Sequence, residues 1–488
     1  MKKLSRKNLT RLQRDFAAGL ADPKGNFVIS TTSNTTRSRI TNYLNNPVTN
    51  ADSIAQEMNS MIQRNGIIRR VVSYYLSHLT YNHNIYPLLG TNKSYEFDQQ
   101  SGLEDYIDVA NTLDLLNPKF FAPYFVKETL INGVSYFYEI SDKKGTAYIE
   151  FPFKWCRVTK VENGVYRYRL DMSNIKAEII EVLPTEIQAA YEDYTNGNMD
   201  DTSKWYDNKW YMVSEKGMAF CFDESVIMNG GVAISEFASL LLDAVDLENA
   251  KSNVQIKDKI DTVRLVHSKV PSDADGMPAI PLDVTKLYDQ QMQARLPEGV
   301  ISVTSPNNLT NIPLNGAGSS KSYDTVNQAT GQVFYDTAVP SAVFGDKTTS
   351  SNIAKLSIQN TANWLYTFVL PNLTNFYNYK LSKFKTKNKY RWQIRFFNQS
   401  NFSMKDDIAL IKDQVTLGGS RTDLLTATGA SPAEVYSHLL FEQDVMNIDE
   451  VMVVKATSHT VSGAEDAAAG RPKTDNPSDD TDRIEGSE

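Results

Sequence analysis

The sequence predicts an α+β chain, and three patterns predict it. Apolar residues recur every three to four positions in the first hundred or so residues, every second position from Asn132 to about residue 234, and at helical spacing again up to about Lys387. At 488 residues the chain can bury a large core, and roughly 100 to 200 residues per domain gives two to four units. Cys156 and Cys221 are the only cysteines, no secretory apolar region follows the basic start, and no run of about 18 apolar residues occurs. A soluble intracellular protein is therefore expected. The net charge of −8 speaks against a protein that clamps nucleic acid by neutralising phosphates, which needs concentrated Lys and Arg. A surface to which DNA must not stick stays allowed.

Ile68, Val72, Tyr75, Leu76 and Leu79 define an early helix, and Ser101 with Glu104 reads as a capping box ahead of Tyr106, Ile107, Ala110 and Leu113. Then GVSYFYEI, TAYIEF, WCRVTKV and VYRYRL alternate, parted by the hairpin signals Asp142-Lys143-Lys144-Gly145 and Glu162-Asn163-Gly164. A further hairpin is expected from Trp210 to Phe222, turning at Glu215-Lys216-Gly217. Ser235 is expected to cap a helix in which Phe237, Leu241, Ala244 and Val245 share one face. A compact insertion follows: a strand TVRLVHSKV, a Pro-rich loop, a helix from Leu282 to Leu296 and a strand GVISVTS. After Asn315-Gly316-Ala317-Gly318 a second helix spans about Ser322 to Thr337.

A loop comes next, and from about Asn352 to Lys387 the stripe Ile358, Ala362, Leu365, Val369 continues as Leu373, Tyr377, Leu381 and Phe384. Pro371 removes a backbone donor and should kink this rod. The alternation of YRWQIRFF fits a return to the earlier sheet. Three short helices follow, with Ser403, Ser420 and Ser431 as N-caps, Gly418-Gly419 and Gly429 as stops and Pro432 in a first turn. From about Thr457 the chain has almost no large apolar residue and is expected to be disordered.

Nothing in the chain demands catalysis. His78, His83, His267, His438 and His459 make no recognised metal-ligand spacing, and there is no Gly-X-Ser-X-Gly elbow, so no catalytic residue, metal or cofactor is expected. NGAGSSKS (residues 315–322) superficially resembles a phosphate-binding loop but lacks the glycine directly before Lys321, and TNIPL ahead of it is a poor buried strand. It reads as a hinge, with a nucleotide-binding enzyme using residues 316–322 as the alternative. SLLLDAVD could pass for an acidic metal-holding strand, but its spacing is helical. The 25 tyrosines and 21 phenylalanines read as cores and subunit interfaces.

The order of elements resembles the portal proteins of tailed bacteriophages over roughly residues 60 to 455. NGVSYFYEISDKKGTAYIEFPFKWCRV looks like the family's wing strands, TGQVFYDTAVPSAVFGDKTTSSNIAKLS is similar to the stretch where a stem helix turns through a tunnel loop, and TLGGSRTDLLTATGASPAEVYSHLLFEQDVM looks like the segment leading into the crown. The resemblance implies a portal-protein fold and a ring-forming subunit, usually twelve to a ring, at one capsid vertex of the virion, assembled in the host cytoplasm. It implies a wing over 1–234 and 352–402 (the latter holding the long kinked helix and return strand), stem helices over 235–258 and 319–337, a clip over 259–318, a tunnel loop over 338–351, a crown over 403–455 and an acidic tail over 456–488. Implied partners are further copies of the chain, the terminase large subunit, major capsid and scaffold proteins, a head-completion adaptor and double-stranded DNA in the channel, with no membrane. Pro340, Phe344, Gly345 and Lys347 become candidates for facing DNA, and Phe237, Leu241 and Val245 candidates for the interface between copies. Another ring-forming neck protein of the virion is a further alternative, though such proteins are usually shorter.

Overall fold

The computed structural model describes residues 37–88, 99–142, 145–262, 264–269, 300–305, 320–344, 351–387 and 390–447, and between 270 and 299 only positions 280, 284, 287, 288, 290, 291 and 294. Helices α1 (Arg37–Asn45), α2 (Ala51–Arg64) and α3 (Gly66–His78) come first, then strand β1 (His83–Leu88), α4 (Gln99–Leu116) and α5 (Pro118–Asn132). Asn65 starts α3 by accepting from the Ile67 N–H at 3.0 Å and the Ile68 N–H at 3.4 Å, satisfying donors that no helical carbonyl reaches. Ser101 lies inside α4 and not before it, so the expected capping box does not mark that helix's start.

Strands β2 (Val134–Asp142), β3 (Gly145–Phe151), β4 (Cys156–Glu162) and β5 (Val165–Asp171), helix α6 (Thr185–Asn196), and strands β6 (Trp205–Tyr206), β7 (Trp210–Met212) and β8 (Gly217–Cys221) follow. The sheet order is β3-β2-β8-β5-β7-β6, with β4 along the other edge of β5. Asn163 and Gly164, at φ 51° and 76°, make the tight β4–β5 turn that asparagine and glycine signal. Alternation sorts the residues into two cores: Phe137, Tyr148, Val165, Met218 and Phe220 face the helices, while Val134, Tyr136, Ile149, Tyr168 and Ala219 face Trp155, Leu183 and Ile187. Both faces of this sheet are covered, and both cysteines are buried and free.

The expected hairpin at Trp210 to Phe222 is absent. Residues of β7 and β8 both run antiparallel to β5, Met212 opposite Arg169 and Ala219 opposite Tyr166, so the segment is one strand interrupted by an excursion at 213–216. The Glu186 carboxylate pins that excursion through the Ser214 N–H at 2.8 Å and its hydroxyl at 2.6 Å. A turn signal fixes a change of direction over a few residues, and here the chain resumes its course after it.

Helix α7 (Leu240–Thr262) starts five residues after Ser235, whose hydroxyl accepts from the Phe237 N–H at 3.1 Å and donates to Leu130 O at 2.7 Å; Ser235 thus opens a turn ahead of the helix. Strands β9 (Arg264–Lys269) and β10 (Val300–Ser305) pair in parallel, Arg264 opposite Val300, which requires a crossover between them. Positions 284, 287, 288, 290 and 291 are helical, within the helix expected there. Helix α8 (Ser320–Asp336) packs along α7.

The long rod is α9 (Ser351–Trp364), a π-helical turn (Leu365–Val369) and α10 (Leu370–Ser382). The break lies directly before Pro371, where the proline ring crowds the carbonyl four residues back and has no N–H to offer it. The rod ends at Ser382, short of the expected Lys387. From Lys347 to Lys405 the chain has ten Lys and Arg and no Asp or Glu. Lys380 reaches Glu139 at 2.7 Å and Lys383 reaches Glu215 at 3.1 Å, while Lys387 pairs with Glu104, tying the end of the rod to β2, the excursion and α4.

Strand β11 (Arg391–Phe396) does not rejoin the large sheet; it pairs antiparallel with β1 from His83–Phe396 to Leu88–Arg391, a strand hidden in a region expected to be helical. Alternation fixes a strand and its buried face, not its partner. Helices α11 (Met404–Thr416), α12 (Arg421–Ala427) and α13 (Pro432–Leu440) follow. Ser431 and Glu434 make a reciprocal capping box at 3.2 and 2.7 Å, and Ser420 caps Asp423 at 3.3 Å. Ser403 instead turns its hydroxyl to the Asp407 carboxylate at 2.7 Å and caps no backbone N–H. The chain divides into one unit up to Val435 and a second from Tyr436, whose described part is the end of α13 and a π-turn over Phe441–Val445. Residues from Thr457 lie outside the described ones.

Candidate functional site: the turn between two helices

The stretch that follows α8 is built on an unusual stop. Ala338 adopts φ 51°, its N–H donates to Tyr335 O at 3.0 Å, and the Val339 N–H donates to Phe334 O at 3.0 Å. This pair of bonds is the Schellman ending, in which glycine normally takes the left-handed position. An alanine there carries a Cβ too close to its own carbonyl, at a cost of about 1 to 2 kcal/mol.

Tertiary contacts hold the turn in place. The Tyr75 hydroxyl donates to Thr337 O at 2.8 Å, and the Ser357 hydroxyl from α9 donates to Ala338 O at 2.5 Å. The Tyr75 ring meets Phe237 and Trp364 edge-on, with centroids 5.1 and 6.3 Å away. Burial, with smaller contributions from Tyr74 and the Glu236 carboxylate, pushes the Tyr75 phenol up to about 12, so it remains a donor at neutral pH. Val339 and Pro340 are buried, and a 3₁₀ turn over Ser341–Phe344 begins with the Val343 N–H on Pro340 O at 3.0 Å.

Acidic groups gather on the same turn. Asp243 of α7 faces Asp336, the last residue of α8, and burial first, then the hydrogen bond and charge of Asp336, push its carboxyl up to about 7. Asp246 adds to this rise and Arg37 opposes it. Arg37 lies against Asp246, Nε to Oδ1 at 3.0 Å and to Oδ2 at 3.2 Å. The Gln332 amide donates to Asp336 Oδ1 at 2.9 Å.

Of the residues singled out in the sequence, Pro340 lies at the base of this loop and Phe344 ends its 3₁₀ turn, whereas Gly345 and Lys347 lie outside the described residues. Phe237, Leu241 and Val245 are 3%, 0% and 4% exposed, enclosed by the chain's own core. This corrects their assignment as a face for a neighbouring copy. The apolar side chains left open beside the loop are Tyr335, Ile353 and Leu356, exposed by 81%, 62% and 66%. The sequence reading missed Tyr75 as an anchor, because helical spacing marks it only as core, and missed Ala338, because no glycine announces its conformation.

Among the described residues, the arrangement holds the base of a loop in place. Among the described residues no group of three or more His, Cys, Asp or Glu could hold a metal. His78 and His83 are buried, and burial holds both down to about 4. His438 lies 3.5 Å from Glu442 in the second unit, and His459 and residues 315–319 lie outside the described ones. No helix among the described residues is long and apolar enough to cross a membrane.

No family model matches the chain, and no curated protein matches it. Among solved structures it is similar to the neck of an empty GTA particle computed with C6 symmetry, at 12% identity and TM-score 0.39 over 75% of this chain and 90% of that one. It is similar to the neck of a native GTA particle computed with C12 symmetry, at 11% identity and TM-score 0.38 over 77% and 93% of the two chains. It is also similar to an HK97 family phage portal protein from Corynebacterium diphtheriae, at 11% identity and TM-score 0.29 over 70% and 94%. Likenesses of this size assign no activity to the chain.

Proposed function

We propose that the chain is a portal-type connector subunit, a non-enzymatic component of a phage-like virion that assembles into a ring around a DNA channel. The observation that carries this reading is the order and junction of elements: helices α7 and α8 bracket a parallel strand pair, and α8 turns through a clamped loop into a long broken helix that runs back to the α+β body. In a ring, a loop at such a junction narrows the passage, with Phe344 and Lys347 as the groups offered to the duplex. A head-to-tail ring buries two different faces of every copy. Tyr335, Ile353 and Leu356 are the side chains that a neighbour would cover.

On this reading the insertion between α7 and α8 receives the terminase large subunit during packaging and a head-completion adaptor afterwards, while the body meets capsid and scaffold proteins. Twelve copies of a chain with net charge −8 would present a wall on which polyphosphate slides. Negative-stain imaging and mass photometry of the purified full chain test the proposal. Rings with a central hole and a mass near twelve subunits are expected; a monomer or dimer at every concentration, with and without scaffold protein, would overturn it.

A further inference from the structure

The π-turn of the long rod borders a cavity of about 200 Å³. Small-molecule sites usually run from about 300 to 1,000 Å³, so this one has room for a single long side chain rather than a nucleotide. Its walls are the rod from Thr367 onward, the β4–β5 hairpin at Val161 and Gly164, and the end of β8 with Glu224 beyond it. The walls are pressed together: a Cβ on Gly164 would lie 2.7 Å from the side-chain nitrogen of Asn375 on the rod. π-turns are frequent at functional sites.

The lining is rich in acceptors. The Thr367 hydroxyl donates to Asn363 O at 2.8 Å and the Asn372 amide to Phe368 O at 2.8 Å, so both side chains turn a donor to the rod and keep an oxygen that accepts. Pro371 has no N–H for Thr367 O, four residues before it. Glu224 is exposed and has no cation partner among the described residues, while Lys160 of the facing hairpin is taken by Glu162 at 2.8 Å. Burial first, then Cys221, Glu224 and Asp223, push the Tyr166 phenol of the same wall up to about 12. Val161 and Phe368, exposed by 45% and 39%, set apolar and aromatic surface beside these groups. An unpaired carboxylate, further acceptors and an aromatic ring suit a cation on an aliphatic stem and repel phosphate.

We propose that this cavity is the docking site for a lysine or arginine of the basic segment ahead of α1, residues 2–14, which fastens the start of the chain to the middle of the rod. That segment carries Lys2, Lys3, Arg6, Lys7, Arg11 and Arg14 and no acid, with Leu4, Leu9 and Leu12 among them, the complement of a carboxylate set in apolar surface. The other acid-free basic stretch, from Lys347 to Lys405, already has Lys380, Lys383, Lys387 and Arg395 on carboxylates. The chain between Arg14 and Arg37 can span up to about 75 Å when extended. Docking within one copy needs no ring, so the proposal is independent of the connector reading.

Timed tryptic cleavage of the full chain after Arg6, Lys7, Arg11 and Arg14 tests it. Glu224→Gln and Phe368→Ala, both at exposed positions, should each speed that cleavage about threefold, the worth of an exposed ion pair. Glu192→Gln, on α6, should leave it as in wild type, and unchanged melting temperatures show that the variants fold. Carbodiimide cross-linking, which joins a carboxylate to an amine in contact with it, should link Glu224 to Lys2, Lys3 or Lys7 in peptide mass spectra when a lysine is the occupant. Equal cleavage rates in wild type and both cavity variants overturn the proposal whatever the cross-links show. So does a Glu224 cross-link confined to lysines outside residues 2–14, which would name another occupant.

Discussion

Replacing Arg167 by methionine should be among the most damaging single changes in the sheet. Arg167 is 2% exposed; its Nη1 donates to Gly217 O at 2.7 Å and Glu215 O at 3.1 Å, and its guanidinium lies 4.7 Å from the centroid of the Tyr379 ring in α10. It therefore fastens the 213–216 excursion to β5 and presents a cation to the long rod. Methionine keeps most of the volume and removes every donor. Each carbonyl left without a partner costs about 1 to 3 kcal/mol, and the lost cation–π contact about 0.5 to 2 kcal/mol. The Glu162 contact at 3.3 Å adds little because Glu162 is open to water. Removing a buried charge gives part of this back, leaving a net loss of about 2 to 5 kcal/mol. Urea unfolding followed by fluorescence of the five tryptophans reads the change as a shift in midpoint at constant slope. A loss below about 1 kcal/mol would refute the claim that these two carbonyls depend on Arg167.

Burial holds His78 and His83 down to about 4 from 6.5, so the unfolded chain binds more protons between those values and stability rises with pH through that window. Melting temperature should drop on acidification from 6.5 to 4, less steeply in His83→Gln; a flat wild-type profile would contradict this. Gly231→Ala should cost about 3 kcal/mol or more, because at φ 85° its Cβ would lie 2.3 Å from Val158 O, whereas at Gly230 nothing lies within 4 Å and the cost should be about 1 kcal/mol; equal thermal losses would contradict it. Deleting Val343 to Thr348 should leave rings intact by imaging while DNA packaging or retention fails, and unaffected packaging would remove the loop's assigned role.

Where periodicity is long and one face is buried, the sequence was a good guide. The hairpins at Asp142–Gly145 and Asn163–Gly164, the α7 and α8 helices, and the Pro371 break were all legible, because turn chemistry and apolar spacing act locally. Partners were not legible. β11 carries the right alternation for the large sheet, but its edge is taken by β1, whose six residues include Pro87 and lie among helices. The apolar stripe of α7 was visible, but a stripe does not say whether its own chain or another copy will cover it. The acid pair and the alanine stop were invisible for a different reason: Asp243 and Asp336 lie 93 positions apart in sequence, and alanine carries no signal for a left-handed turn.

The π-turn before Pro371 solves a problem of phase. Leu365, Val369, Leu373, Tyr377 and Leu381 are all buried and all four residues apart. An α-helix turns about 100° per residue, so each step of four overshoots by about 40°, and four such steps would carry the seam nearly halfway round the rod. A π-turn closes its hydrogen bonds one residue later, turns less per residue, and takes back part of that overshoot. The length of this five-residue segment, more than its side chains, therefore sets the azimuth at which α9 leaves the body. Shortening it by one residue would swing α9 by about 100° and carry Ser357 away from Ala338, so the loop is aimed from a point eight residues beyond its own anchor.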